Sequence, residues 1–219
     1  MPRALHEYDP PDRFVVGTVG APGQRTFFLQ ATGAGRTTSV ALEKQQVAVL
    51  AERVEALLDE VLRRTGGAAP VPAVAPAELI DNAPLDAPIV EDFRVGTMAL
   101  AWEGEAERVL IEAQELVPDS DAVEPEEGDP GAGGAGGAGG AAGDEAAAAR
   151  PDPGLIEAGF GSQEDGPDML RVRLSGAAAR AFVRRALAVV AAGRPDCPFC
   201  GQPIDPDGHI CPRANGYRR

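Results

Sequence analysis

Residues 197–211 contain the side chains that are best suited to bind a metal ion. All three cysteines lie there, as Cys197, Cys200 and Cys211, and His209 stands beside the third. Thiolates two residues apart can share one ion, and the return segment brings an imidazole and a third thiolate to it. Three sulfurs and one nitrogen complete a tetrahedron with no open position. The spacing therefore predicts one structural zinc ion per chain rather than a catalytic one.

Redox chemistry is the alternative function of the pair Cys197 and Cys200. Oxidoreductases place a Cys-x-x-Cys pair at a helix N-terminus, whereas this pair follows the end of a predicted helix. A disulfide framework is a weaker alternative, because the N-terminus has no apolar signal segment and a reducing cytosol keeps thiols free. No window approaches the roughly 18 apolar residues of a membrane span. We therefore expect a cytoplasmic protein whose cysteines bind zinc.

The rest of the sequence contains no recognisable active site. Glycine clusters near residues 17–23 and 33–35 lack the Gly-Lys-Ser/Thr ending of a P-loop, so we interpret them as turns. His6 is expected to be a solvated N-terminal residue, with a catalytic base as the alternative, and Trp102 a core residue. Acidic residues around one hairpin are expected at an exposed edge or face; they are Glu103, Glu105, Glu107, Glu112 and Glu115. The sequence predicts no catalytic residue and no organic cofactor, and it favours a protein that is not an enzyme.

Hydrophobic periodicity predicts the elements that must position the cysteine tail. Period-two runs and turn residues predict three strands in residues 13–42, and helical spacing of Val47, Leu50, Val54 and Leu57 predicts a helix over 43–64. The same succession then recurs. Strands are predicted over 92–102, 108–116 and 169–174, followed by a helix that Ser175 caps and Gly193 ends. The apolar face of this helix, which includes Phe182, Val183 and Leu187, should pack on the first helix.

The order strand, strand, strand, helix thus occurs twice, and short strings recur with it. Residues 14–18 read Phe-Val-Val-Gly-Thr, and residues 93–97 read Phe-Arg-Val-Gly-Thr. We predict an α+β fold in which two βββα repeats, related by a pseudo-two-fold axis, form an antiparallel sheet core with a helix layer. Phe14 and Phe93 should both be buried. A C-terminal zinc knuckle completes the chain.

Composition divides the chain into four segments, one of which contains an insert. The first repeat covers residues 1–67, a Pro-rich connector 68–88, the second repeat 89–194, and the zinc-binding tail 195–219. The connector is expected to run extended over the surface. Within the second repeat, residues 117–154 combine an acidic run with a Gly-rich run and have nothing to bury, so they are expected to be a flexible, dispensable insert.

Charge is distributed unevenly along the chain. The net charge is −14, but residues 171–219 carry nine arginines and three aspartates. This difference has two interpretations: solvated helix faces, or a basic patch for a nucleic acid or an acidic partner. Phe199 and Tyr217 could stack on bases in the second case.

Three strings resemble one known family. They are the start from Tyr8 to Thr18, the helix entry from Leu42 to Val47, and the ending Cys-Pro-Phe-Cys-Gly…His-Ile-Cys-Pro-Arg-Ala-Asn-Gly-Tyr217. Together they are similar to the actinobacterial family called domain of unknown function 3090, over nearly the whole chain except the Gly-rich insert. The resemblance implies a cytoplasmic zinc-tailed protein and carries over no catalytic residue.

These observations favour a non-enzymatic binding or adaptor protein with a protein partner and no membrane contact. Two alternatives remain. The basic C-terminal helix and zinc tail could bind nucleic acid, or the seam between the two repeats could hold the site of an enzyme or a small-molecule sensor. A concave pocket with converging polar groups at the seam would favour the last.

Overall fold

The computed structural model describes residues 3–21, 23–117, 155–156 (backbone), 166–193, 197–200, 204, 211 and 213. Two long helices and eight strands occur in these residues. The strands are β1 Leu5–Tyr8, β2 Arg13–Val19, β3 Thr26–Gly33, β4 Arg36–Leu42, β5 Phe93–Glu103, β6 Arg108–Glu115, β7 Leu155–Ile156 and β8 Met169–Ser175; the helices are α1 Lys44–Thr65 and α2 Gly176–Ala191. A short 3-10 helix, Ala77–Leu79, lies in the connector. The α+β class is as predicted.

The strands form one mixed sheet, which corrects the predicted antiparallel one. Its order is β1-β8-β6-β5-β4-β3-β2, with β7 on β5. The hairpin partners are antiparallel, but β1 runs parallel to β8, β4 to β5, and β7 to β5. Strands β4 and β5 can run parallel because helix α1 and the connector join them. The sequence pattern did not reveal β1, and this additional strand forms the parallel pair with β8.

The sheet is rolled so that its two ends approach each other. Strands β1 and β2 lie at opposite ends of the order, yet only residues 9–12 join them. Such a link reaches about 18 Å, whereas seven strands laid flat span about 29 Å. Across the gap, the Tyr8 hydroxyl lies 2.8 Å from Oγ1 of Thr38 on β4, and the Asp12 amide donates to the Thr32 carbonyl at 2.8 Å. The sheet is therefore rolled into a partly closed form, in which β1 and β2 are not paired with each other.

An arginine covers each end of the strand order. Arg185 of α2 donates from Nε to the Val16 carbonyl of β2 at 2.7 Å. Arg36 donates to the Glu7 carbonyl of β1, and its guanidinium lies over the Tyr8 ring. Both contacts satisfy strand carbonyls that would otherwise be free to pair with another chain.

Gln46 joins α1 to the place where β4 and β5 part. Only two residue pairs link these strands, Val40 with Phe93 and Ala41 with Arg94. Beyond them, Nε2 of Gln46 donates to the carbonyls of Val95 and Gly96, while its Oε1 accepts from the Glu43 amide in a capping box. One buried amide therefore fixes both the start of the helix and the strand separation.

The two helices pack against each other and against the sheet. They are antiparallel, because Arg180 near the start of α2 pairs with Asp59 near the end of α1. The core that they share with the strands includes the predicted Leu50, Val54, Phe182 and Val183. Leu187 was expected in this core but is 37% exposed, because it lies on the outer side of α2.

The two halves have the same strand order and direction, but the repeat itself stays a prediction. In each half the first strand pairs with the second and the second with the third, both antiparallel. Phe93 is buried as expected, whereas Phe14 is only half-buried and stacks on Phe182. Gly96 of the second string lies where β5 has a bulge.

The connector packs more closely than an extended surface segment was expected to. Val71 is 6% exposed and belongs to the core. It fits against Gly176, where a Cβ atom would lie 2.8 Å from Cγ2 of Val71. Leu85 similarly covers Gly17 of β2 on the other face of the sheet. The insert at 118–154 lies outside the described residues, so the expectation of flexibility is untested. Of the described helices, none has the length and apolar character that a membrane crossing needs.

Candidate metal centre

The three cysteines come together after α2, as their spacing predicts. The sulfur atoms of Cys197, Cys200 and Cys211 all lie within 4.8 Å of one another. The first and third are buried, and their sulfurs are 3.8 Å apart. Two ligands at about 2.3 Å in a tetrahedron lie about 3.8 Å from each other. The donor set and its spacing therefore fit a soft divalent ion such as zinc.

Hydrogen bonds at the turn prepare one of these sulfurs for metal binding. Burial opposes ionisation of Cys197, but hydrogen bonds from the backbone amides of Phe199 and Cys200 and with the side chains of Cys200 and Cys211 together outweigh burial, so the pKa of the thiol is lowered. A metal ligand must be a thiolate, so a lowered pKa assists binding near neutral pH. The neighbouring Arg213 donates to the Phe199 carbonyl at 3.1 Å and ties the return segment to the turn.

The fourth predicted ligand, His209, lies outside the described residues, as does Tyr217. The cluster of three sulfurs is thus shown, whereas the complete ligand set stays a prediction.

His6 is not the solvated residue that its position in the sequence indicated. It lies half-buried on β1, and its Nδ1 is 3.1 Å from Oγ1 of Thr38. That hydroxyl is also bonded to Tyr8, and Thr38 is only 2% exposed. A substrate cannot reach a hydroxyl buried in this way, so the three side chains serve to satisfy one another where the sheet closes.

Glu112 also differs from expectation. It is fully buried on β6, where an exposed edge or face was predicted, and it accepts from Nε of Arg171 at 2.5 Å. The two residues are direct cross-strand partners. A buried carboxylate needs such a partner, and the sequence signal was an arginine at the matching position of an adjacent strand.

A family model described as Protein of unknown function (DUF3090) matches residues 6–211. The chain belongs to this family. Comparisons of the chain with curated proteins and with solved structures gave no match. The range shared with DUF3090 starts in β1 and ends at Cys211, so it includes all four predicted zinc ligands.

The acidic body of this DUF3090 member pairs with part of its basic end. Four of the nine arginines in residues 171–219 pair with carboxylates from the first 170 residues. These pairs are Arg171 with Glu112, Arg173 with Glu7 and Glu103, Arg180 with Asp59, and Arg185 with Asp81. The uneven charge along the sequence is therefore in part a set of ion pairs within the fold.

Proposed function

We propose that this protein is a non-enzymatic binding protein whose C-terminal cluster holds one structural zinc ion. The observation that carries this proposal is the convergence of three sulfurs within 4.8 Å. Cys197, Cys200 and Cys211 supply three ligands, and His209 is the fourth. Four protein ligands leave the ion no open position, so the metal's contribution is to fold the tail, not to activate water.

Cobalt substitution tests the ligand set, because a tetrahedral site of three sulfurs and one nitrogen gives a visible spectrum that changes when a ligand is lost. The chain has two histidines, which provide a matched pair of variants. His209→Ala should alter the spectrum and weaken metal binding at least tenfold, since a ligand is removed. His6→Ala should change neither. An unaltered spectrum in His209→Ala would assign the fourth position to another group.

We further propose an adaptor role, in the cytoplasm, with a protein partner. A groove between the outer face of α2, Glu55 of α1 and the connector supports a docking role. Its apolar residues include Val74, which is 75% exposed, and Leu187. Exposed apolar side chains around one groove are typical of interaction surfaces.

The adaptor role can be tested by affinity purification from the native host with three forms of the protein. Val74→Asp should lose the specific partner that the wild type retains, because it places a charge in the groove. Val90→Asp is the matched control, since Val90 is 64% exposed and does not line the groove. Equal recovery with all three forms would locate the partner elsewhere.

Nucleic-acid binding through the basic C-terminal region is the less favoured alternative. Ion pairs occupy the guanidiniums of Arg171, Arg173, Arg180 and Arg185, and a net charge of −14 repels a polyanion. Retention on heparin with a steep salt dependence would restore this alternative.

A small-molecule sensor is a second candidate, and a specific observation favours it. A concave cavity lies between β2 and Asp81 on one side and α2 with Leu174 of β8 on the other. It joins elements from the two predicted halves and contains charged groups. This is the kind of pocket that small ligands use.

A further inference from the structure

The outer faces of the two helices differ in character. On α1, seven of the ten exposed residues are charged, as is typical of a helix face that meets water. On α2, the exposed residues are Arg184, Leu187, Ala188 and Ala191, and only the first of them is charged. The outer face of α2 is therefore poorer in charge than a solvated helix face usually is.

The groove between α1, α2 and the connector borders this face and has a volume of about 430 Å³. Val183 lines it and is only 3% exposed, so this side chain forms the floor. Val74 of the connector is 75% exposed and stands at the rim. A projecting apolar side chain and a depression thus lie next to each other on one patch of surface.

Two charged side chains of the groove, Glu55 of α1 and Arg184 of α2, have no ion-pair partner among the residues that the structure describes. Both are exposed. The third charged residue of the lining, Arg180, already pairs with Asp59 and donates to the Pro72 carbonyl at 3.1 Å. The groove therefore offers a partner one negative and one positive group.

A second copy of the chain carries the complementary arrangement of charges. In a two-fold contact, residue i of one protomer meets residue j of the other, and j meets i. A rotation of 180° about an axis through the groove can therefore place Glu55 of each copy opposite Arg184 of the other. A partner with charges of one sign would satisfy one of these groups and be repelled by the other.

We propose that two copies of this chain associate through the groove. Glu55 of each copy pairs with Arg184 of the other, and Val74 and Leu187 lie at the centre of the contact. This inference rests on the adaptor proposal, because it uses the same groove, and it names the protein partner as a second copy. It is independent of the zinc proposal.

The expected dimer is a weak one. Eight residues line the groove, whereas a stable interface takes about 20–30 residues from each side. Each copy also has a net charge of −14, and salt at physiological ionic strength screens the resulting repulsion only beyond about 8 Å. We therefore expect a dissociation constant in the micromolar range.

Sedimentation of the full-length protein at several concentrations in physiological salt measures this association. Glu55→Arg and Arg184→Glu should each raise the dissociation constant at least tenfold, because each change places like charges opposite each other twice in the dimer. Glu52→Arg is the matched control, since Glu52 is an exposed residue of the same helix that does not line the groove. It should leave the dissociation constant unchanged.

An equimolar mixture of Glu55→Arg and Arg184→Glu provides the sharper arm of the test. In a mixed dimer each of the two positions again meets a charge of opposite sign. The mixture should therefore associate as tightly as the wild type, to within about threefold. Such a rescue requires that both variants are folded and that positions 55 and 184 meet across the two copies.

The outcomes separate this inference from the adaptor proposal. A wild type that stays monomeric up to millimolar concentration would overturn self-association. The affinity purification then decides the adaptor role by itself: loss of a different host protein in Val74→Asp would support that role, and no loss would overturn it too. A dimer that neither Glu55→Arg nor Arg184→Glu weakens would lie elsewhere on the surface and would also contradict the inference.

Discussion

At the residue scale, Asp81 links the connector to both ends of the folded chain. Its carboxylate accepts from Arg13 of β2 and Arg185 of α2, residues 172 positions apart in the numbering. The hydrogen bond from Arg13 is the main reason why the pKa of Asp81 lies below its ordinary value.

Asp81→Asn should therefore destabilise the protein at neutral pH by about 2 kcal/mol, the size of a charge-assisted hydrogen bond whose partners stay buried. A lowered folded-state pKa stabilises the protein above the unfolded carboxyl pKa of about 4. That contribution disappears as the pH falls through the lower folded-state value, so the difference between wild type and variant should shrink below pH 4. Urea unfolding at several pH values measures it.

Asp12→Asn is the matched control, because Asp12 is an exposed carboxylate beside the same strand. It should change stability by less than about 0.5 kcal/mol at any of these pH values. An equal loss in both variants, or a loss in Asp81→Asn that persists in acid, would show that the arginine contacts do not stabilise the fold.

The sequence predicted residues that act through local spacing and missed those that act across the fold. Cysteines within fifteen positions of one another reveal a shared site without knowledge of the topology. By contrast, Arg13 meets Asp81, and Glu112 meets Arg171, only after the sheet has formed. No local pattern records which of many charged residues will be paired.

At the element scale, the strong periodic patterns gave most strands and both helices to within a few residues. Strand β1 was missed because its four residues, Leu5–Tyr8, carry no apolar alternation and gain their structure from pairing with β8. The packing of the connector was not predicted, because it depends on individual contacts across the fold, such as Val71 against Gly176 and Leu85 against Gly17. Packing of this kind depends on shape, which composition does not encode.

Gly176→Ala tests that contact between the connector and α2. Its Cβ atom would lie 2.8 Å from Cγ2 of Val71 and 3.1 Å from the Pro70 carbonyl oxygen. Alanine favours a helix, so a gain is expected from propensity alone, but the clash should produce a net loss of about 1–3 kcal/mol in thermal or urea unfolding.

The comparison for this change is Gly104→Ala, where the nearest atom, Nε1 of Trp102, would lie 4.0 Å from the new Cβ. It should alter stability by less than about 1 kcal/mol. A stabilised Gly176→Ala variant would mean that the connector does not pack tightly on the start of α2.

The second prediction at the element scale concerns residues 118–154 and rests on their composition. A segment with few apolar side chains adds mainly loop-closure entropy, which varies slowly with length. Replacing these 37 residues by about ten Gly and Ser residues should change the free energy of unfolding by roughly 1 kcal/mol or less. Cooperative loss of the fold on this deletion would show that the segment packs against the sheet.

At the scale of the whole molecule, the acidic body and the basic end are complementary parts of one fold. Strands β5 and β6 and the connector supply carboxylates, and β8 with α2 supplies the arginines that bind them. The rolled sheet brings these distant segments together around the helix pair. The cysteine cluster follows α2 and lies outside the described hydrophobic core.

The central claim is that the cysteine cluster holds one structural zinc ion, and the zinc content of the purified protein tests it most directly. Protein prepared without added metal should contain one zinc ion per chain by elemental analysis. Cys200→Ser should contain much less, while its body keeps the urea midpoint of the wild type, since the core lies elsewhere. The account is contradicted if the wild type contains no zinc and all three cysteines react freely with a thiol reagent under native conditions.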